Sequence, residues 1–246
     1  MKRYRSSLIL GLSLLGVSAC IYLAQVFIFH DPRGTFFYMM QDFAFVPIQV
    51  LLVSLIVNDV LTRRDKLELQ NKLNMVIGAF YSEKGGDLLK RLARFDGYTE
   101  ALCAIVRVGM NWTDRDYATA KQRLLEHRFK IDCRLSPLGE LKSVMLEHRS
   151  FLLRLLENPN LLEHETFTDL LWAINHLTEE LDFRDDLRAL PESDYAHLAG
   201  DLQRADILLL IEWLAYVRHL RDDYPYIYSL VVRMNPFDAN ASPIVR

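Results

Sequence analysis

Leu8 to Phe29 is an uncharged run of 22 residues, and it constrains this 246-residue chain more than any other feature. At about 1.5 Å of rise per residue, such a run crosses the roughly 30 Å hydrocarbon core of a bilayer as one helix. A second apolar run begins near Phe43 and ends at Leu61, where Thr62-Arg63-Arg64-Asp65-Lys66 stops it. Asp42 and Asp59 then fall at headgroup level, so neither charge sits at mid-bilayer. Pro47 lies inside the second run, where its missing N–H favours a kink. Lys2, Arg3 and Arg5 precede the first run; Arg63, Arg64, Lys66 and Lys72 follow the second. The loop between them, about a dozen residues, holds Arg33 alone. The positive-inside rule places both termini in the cytoplasm with a short hairpin outside.

The first 61 residues carry seven formal charges, whereas the remaining 185 hold 25 of the 29 basic and 29 of the 32 acidic residues. The sequence therefore divides into a membrane anchor, 1–61, with spans at about 8–29 and 43–61, and a cytoplasmic helical domain, 62–246. A net charge of −4 on that domain, without a basic-aromatic stretch, excludes a nucleic-acid groove. Three scattered cysteines with no CxxC pair exclude a disulfide scaffold and a zinc ribbon.

Other readings of the first run are weaker. Lys2-Arg3-Tyr4-Arg5 before an apolar stretch resembles a signal peptide, and Val17-Ser18-Ala19-Cys20 resembles a lipoprotein cleavage box with Cys20 lipidated. Ile21-Tyr22-Leu23-Ala24 continues the apolar run, however, where a processed lipoprotein turns polar. A two-span channel lacks anything like a selectivity filter. Gly16, Cys20 and Ala24 form a small-residue stripe, expected to seat the second span of the same chain, with a homodimer seam as the alternative.

From Thr62 onward the pattern is helical. Leu69, Leu73, Val76 and Phe80 extend the second span as an amphipathic helix to about Glu83, docked onto its own bundle, until Gly85-Gly86 ends it. Shorter helices are expected over Asp87–Phe95 and Thr99–Val108. Thr113 with Asp116 has capping-box spacing and opens a helix to about His127. Phe129, Ile131, Cys133 and Leu135 alternate like a strand, but with no partner in view they read as an extended connector. Ser136-Pro137 starts a helix that ends before Asn158-Pro159-Asn160. Thr166 with Asp169 opens another to about Asp182, Pro191 begins the longest one to about Asp222, and Tyr224–Met234 is a last short helix. Ile207–Val217, apolar except for Glu212, is too short to span a bilayer and reads as the centre of a bundle. The fold class is all-α: two transmembrane helices, then a cytoplasmic bundle of about seven or eight helices.

Chemistry is sparse. At 100° per residue, Asp194, His197, Asp201, Glu212 and His219 share a sector about 60° wide, and Asp169, His176 and Glu180 share one side of the preceding helix. Facing helices with such residues build metal sites, typically from Glu-x-x-His pairs. This chain offers Asp194-x-x-His197 and a reversed His176-x-x-Glu179, a poor match, and the bland reading is two solvated faces. Glu212 has apolar neighbours and needs a partner or a raised pKa; Arg204, Arg218 or a residue on another helix could supply the partner. His148 reads as a satisfied core histidine, and neither Cys103 nor Cys133 has a nucleophile's setting. No nucleotide, protease, esterase, kinase or EF-hand motif is present.

Asn74–Phe80, Leu152–Ala173, Asp194–Ala205 and Tyr224–Asp238 together resemble an uncharacterised family of small bacterial inner-membrane proteins with two N-terminal transmembrane helices and a helical cytoplasmic domain. The resemblance implies a bacterial inner membrane and carries no activity, cofactor or site residue.

The expected function is a membrane-tethered interaction or regulatory module, non-enzymatic, with the lipid bilayer and another protein as partners and no cofactor. The tail Asn235–Asn240, with Phe237 among turn residues, is either a docking peptide or a frayed end. The alternative is a helical-bundle metalloprotein or hydrolase using Asp169, His176, Glu180, Asp194, His197, Asp201, Glu212 or His219. A transport or channel assembly, the third class, has only Asp42, Gln49, Asn58 and Asp59 to line a pore.

Overall fold

The first turn of the chain follows from three adjacent residues, His30, Asp31 and Pro32. The computed structural model describes residues 2–159, 161 and 164–245, with the side chains of 2–10 and 67 outside that set. The uncharged run forms α1 (Lys2–Phe29). His30, at a φ of 51°, takes the left-handed conformation that closes a helix, and its N–H reaches the Val26 carbonyl at 3.0 Å. Asp31 opens the next helix, its Oδ1 accepting the Gly34 N–H at 2.9 Å, and Pro32 brings a preset φ to the first helical position. So α2 (Pro32–Phe80) starts well before Phe43, and the expected dozen-residue loop is only a turn at His30 and Asp31. The helix also continues across Pro47.

The chain forms two compact units, residues 1–66 and 67–246. In the first, the Tyr22 hydroxyl donates to Asp42 Oδ2 at 3.1 Å, joining α1 to α2. Gly16, Cys20 and Ala24 are exposed, and a Cβ at Gly16 would meet nothing within 4 Å. At Gly16, therefore, the stripe does not bring the second helix into close contact. Both helices are long and apolar enough to cross a membrane.

The second unit is all-helical among the described residues. The end of α2 buries Leu73, Ile77 and Phe80, and Phe80 meets the Phe167 ring edge-on at 5.4 Å. Gly85 and Gly86 do not break the chain's helical course. A π-turn over Tyr81–Gly85 leads directly into α3 (Gly86–Leu92), and a 3-10 turn (Ala93–Phe95) follows. Then come α4 (Thr99–Val106), α5 (Asp114–Glu126), α6 (Leu138–Leu156), α7 (Glu165–Asp182), α8 (Glu192–Asp223) and α9 (Pro225–Arg233). The capping box at α5 is present in full: Asp116 accepts the Thr113 N–H at 2.7 Å while Thr113 caps the helix in return. At α7 the cap is different. His164 Nδ1 accepts the Phe167 N–H at 3.2 Å, so Thr166 and Asp169 do not open the helix. Asn160, expected after the end of α6, lies outside the described residues.

The alternating segment does find a partner. Asp132 N–H bonds the Phe95 carbonyl and Gly97 N–H the Lys130 carbonyl, forming a single antiparallel rung between Asp96 and Ile131. α8 is the central helix: α7, α5, α9 and α3 pack around it, with α6 on α7. Its buried Leu198, Leu202, Leu209, Trp213, Val217 and Leu220 recur at helical spacing and supply the apolar stripe on which the domain is built.

Candidate functional site

α7 and α8 are consecutive helices joined by a short loop, so they run antiparallel where they pack. Each carries a histidine and, one turn later, a carboxylate: His176 and Glu180 on α7, His197 and Asp201 on α8. Residues four apart share a helix face. Antiparallel packing then sets His197 opposite Glu180 and His176 opposite Asp201. His197 Nε2 lies 3.4 Å from Glu180 Oε2 and 3.4 Å from Asp201 Oδ2. His176 Nε2 lies 3.6 Å from Asp201 Oδ2 and 3.9 Å from Glu180 Oε1. Donor atoms of Glu180, His197 and Asp201 all fall within 4.8 Å of one another.

Two arginines hold the carboxylates from behind. Arg184 Nη1 donates to Glu180 Oε2 at 2.7 Å and grips Asp194 through two bonds of 2.8 and 2.6 Å. Its hydrogen bonds keep both the Glu180 and the Asp194 carboxyl below their ordinary range. Arg204 Nη1 donates to Asp201 Oδ1 at 3.1 Å. Asp201 Oδ2 is left buried, hydrogen-bonded to nothing among the described residues, and turned towards the two imidazoles. The Asp201 side chain is 5% exposed, whereas His176 and His197 are 46% and 52% exposed. A polar floor with an open mouth results.

Of the other sequence candidates, Asp194 belongs to Arg184, and Asp169 is exposed and apart from the cluster. His219 sits elsewhere on α8, 2.8 Å from Asp223 and 3.2 Å from the Asn74 amide, at the edge of a surface groove of ≈ 650 Å³. Glu212 is buried, and its charge acts on the Tyr81 hydroxyl. Its expected partners are otherwise engaged: Arg204 with Asp201 and Arg218 with Asp114. His148 is a core histidine but not a satisfied one, since its Nδ1 has no partner among the described residues and burial lowers its pKa. Burial pushes the Cys133 thiol up to about 11 and raises Cys103 as well, which leaves both weak nucleophiles.

A second titratable cluster gives no periodic signal in the sequence. Asp96, buried, accepts His127 Nε2 at 2.8 Å and the backbone N–H groups of Tyr98 and Lys130 at 3.0 Å each. Asp206 on α8 feels the charge of Asp96 and is buried with neither oxygen bonded. These residues meet only through the Asp96–Ile131 rung and packing on α8.

The architecture defines a protein of two helical parts, an apolar N-terminal pair and a helical domain that buries a core of its own. Family models cover both parts. One described as "MJ1433, N-terminal helical domain" matches residues 2–61, and one described as "Uncharacterized protein MJ1433, C-terminal helical domain" matches 69–233. The protein named "Uncharacterized protein MJ1433" from Methanocaldococcus jannaschii is 43% identical over 244 residues, covering 99% of this chain and 97% of its own length. The chain belongs to the MJ1433 family. That relative is archaeal, so the bacterial source implied by the resemblance gains no support. No solved structure matches.

Proposed function

We propose that the chain is a membrane-tethered helical module that holds a cytoplasmic domain at the cell membrane for binding to another protein. The carrying observation is the surface of α1. Leu12, Leu14, Leu15, Val17, Ile21, Leu23, Phe27, Ile28 and Phe29 are all exposed. At roughly 1.5–3 kcal/mol for each such side chain, leaving the nine in water forfeits on the order of 20 kcal/mol. That exceeds the whole stability of a typical domain, so a bilayer is the medium these residues fit. By the positive-inside rule, Arg63, Arg64, Lys66 and Lys72 support a cytoplasmic side for the body.

The reading of a protein partner is supported by Tyr226 and Leu230 of α9 and Met234 just past its end, one turn apart and all exposed. An apolar row of this kind fits a hydrophobic groove on a partner protein. Two measurements test the proposal on the full chain in cells. Alkaline extraction is expected to leave the protein in the membrane pellet; release into the supernatant would refute the anchor. A photo-crosslinking residue at 226 is expected to trap a discrete protein adduct that the same residue at Gln203 does not. Equal, diffuse labelling at both positions would remove the partner surface.

A further inference from the structure

The paired His-x-x-x-acid turns of α7 and α8 bring imidazoles and carboxylates together at separations longer than charge-assisted hydrogen bonds. Well-formed charge-assisted N–H···O bonds measure about 2.7–2.9 Å. The imidazole-to-carboxylate distances here are 3.4, 3.4 and 3.6 Å, with a fourth at 3.9 Å. They are too long for such bonds. A tetrahedral ion with bonds of about 2.0–2.1 Å places its ligand atoms about 3.3 Å apart; the two His197 contacts match such edges, the ligand atoms of Glu180, His197 and Asp201 all lie within 4.8 Å of one another, and His176 stands beside that group, 3.6 Å from Asp201 Oδ2. Asp201 Oδ2 makes the same point. A buried carboxylate oxygen without a donor costs stability, and the two groups it faces are ring nitrogens, which serve as metal ligands when neutral.

We propose that His176, Glu180, His197 and Asp201 form a binding site for a divalent first-row transition metal ion of the zinc or ferrous class, bridging α7 and α8. Two imidazoles with two carboxylates suit such ions, whereas calcium and magnesium take all-oxygen shells. The arginines supply the outer layer of the site. Arg204 occupies Asp201 Oδ1 and directs Oδ2 inward, and Arg184 fixes the Glu180 carboxylate. Glu180 Oε2 accepts from Arg184 and retains a lone pair towards His197. The half-exposed histidines leave the ion an approach from solvent. The site is assigned to binding, tying two core helices together. Asp169, Asp194, Glu212 and His219 stand outside it.

The test uses the full chain in detergent, stripped with chelator and titrated with Co²⁺ and then Zn²⁺. One cobalt per chain is expected, with visible absorption bands of low-symmetry coordination that zinc abolishes and magnesium at equal concentration does not. His176→Ala/His197→Ala is expected to lose saturable binding, and Asp201→Asn to weaken it by at least about tenfold. His219→Ala is expected to bind like the wild type. X-ray absorption of the zinc-loaded wild type needs no variant and is expected to show imidazole and carboxylate oxygen together. Absence of 1:1 binding, binding that survives the double substitution, equal loss in the His219 variant, or a shell without imidazole would each overturn the site and leave a bare ion-pair network.

Discussion

Asp206 and Asp96 are carboxyl groups buried within electrostatic reach of each other, and their surroundings are opposite: Asp96 accepts three donors and Asp206 none. Burial, with the Asp96 charge second, moves the Asp206 pKa from 3.8 to about 8. Asp206 is thus a neutral acid in the fold at neutral pH, as an unpaired buried carboxyl must be.

The sign of the resulting pH dependence follows directly. Between the unfolded value of 3.8 and the folded value of about 8, the unfolded chain releases the proton and the fold retains it. The contribution of Asp206 to stability is therefore complete below 3.8 and is lost as pH rises towards 8, by up to about 1.4 kcal/mol per pH unit. Asp206→Asn is neutral in both states and removes this slope. Unfolding of the two full-length proteins, compared from pH 5 to pH 9, should show the variant gaining on the wild type as pH rises. A difference that stays constant across that range would mean that Asp206 is ionised in the fold.

Asp96 gives a prediction of a different kind. Its carboxylate ties the His127 ring and two backbone N–H groups across the single rung to Ile131. Asp96→Ala takes the acceptor from all three part-buried donors, and breaking such a network costs about 3 kcal/mol. Denaturant titration should show a loss of that order. A loss under about 1 kcal/mol would mean that water already satisfies these donors.

Local signals were legible in the sequence and long-range pairings were not. The helices of the second unit follow their apolar spacing, and the box at Thr113 and Asp116 is realised in full. Asp31-Pro32 is a plain helix-start signal and α2 begins there, ahead of the apolar run that starts near Phe43, whereas at Ser136-Pro137 the proline itself is the cap and α6 begins at Leu138. Thr166 has capping-box spacing, but His164 already occupies the cap. The α7–α8 residues were visible on the helical wheel, and the fold brings four of them together. Their spacing, His-x-x-x-acid twice, differs from the Glu-x-x-His pairs by which helical bundles signal a metal site in sequence. The Asp96–His127–Asp206 cluster depends on packing between distant segments, which no periodicity encodes.

The cap at α5 gives a modest, local prediction. Thr113→Ala removes the threonine half of a reciprocal pair, including the bond its hydroxyl donates to Asp116 Oδ2 at 2.7 Å, while the Asp116 N–H keeps the Thr113 carbonyl at 3.0 Å. Loss of such a cap costs about 1 kcal/mol. Thermal unfolding should register it as a small drop in midpoint, with no change at Thr166→Ala, where the threonine does not cap its helix. Equal losses at both positions would show that the Thr166 spacing is used after all.

Gly85 shows why a glycine pair expected to end a helix does not. Its backbone is helical, so conformational freedom is not its use here. A Cβ at this position would stand 2.7 Å from Tyr81 Cδ1 and 2.8 Å from Phe80 Cε1. Those rings are fixed: Phe80 is fully buried against Phe167, and Tyr81 stacks on Tyr216 at 5.2 Å while its hydroxyl donates to the Leu209 carbonyl at 2.7 Å. The glycine thus makes room for two rings that seat the end of α2 on α8. Gly85→Ala forces these aromatic side chains to move, and overpacking of this kind costs about 1–3 kcal/mol. Gly200, inside α8, is the contrasting case, since a Cβ there meets nothing within 4 Å. Gly200→Ala should raise stability by about 0.5–1 kcal/mol through helix propensity alone. Opposite shifts in unfolding midpoint for the two variants would place the Gly85 effect in packing; a gain at both would mean that the rings yield and the π-turn tolerates a side chain.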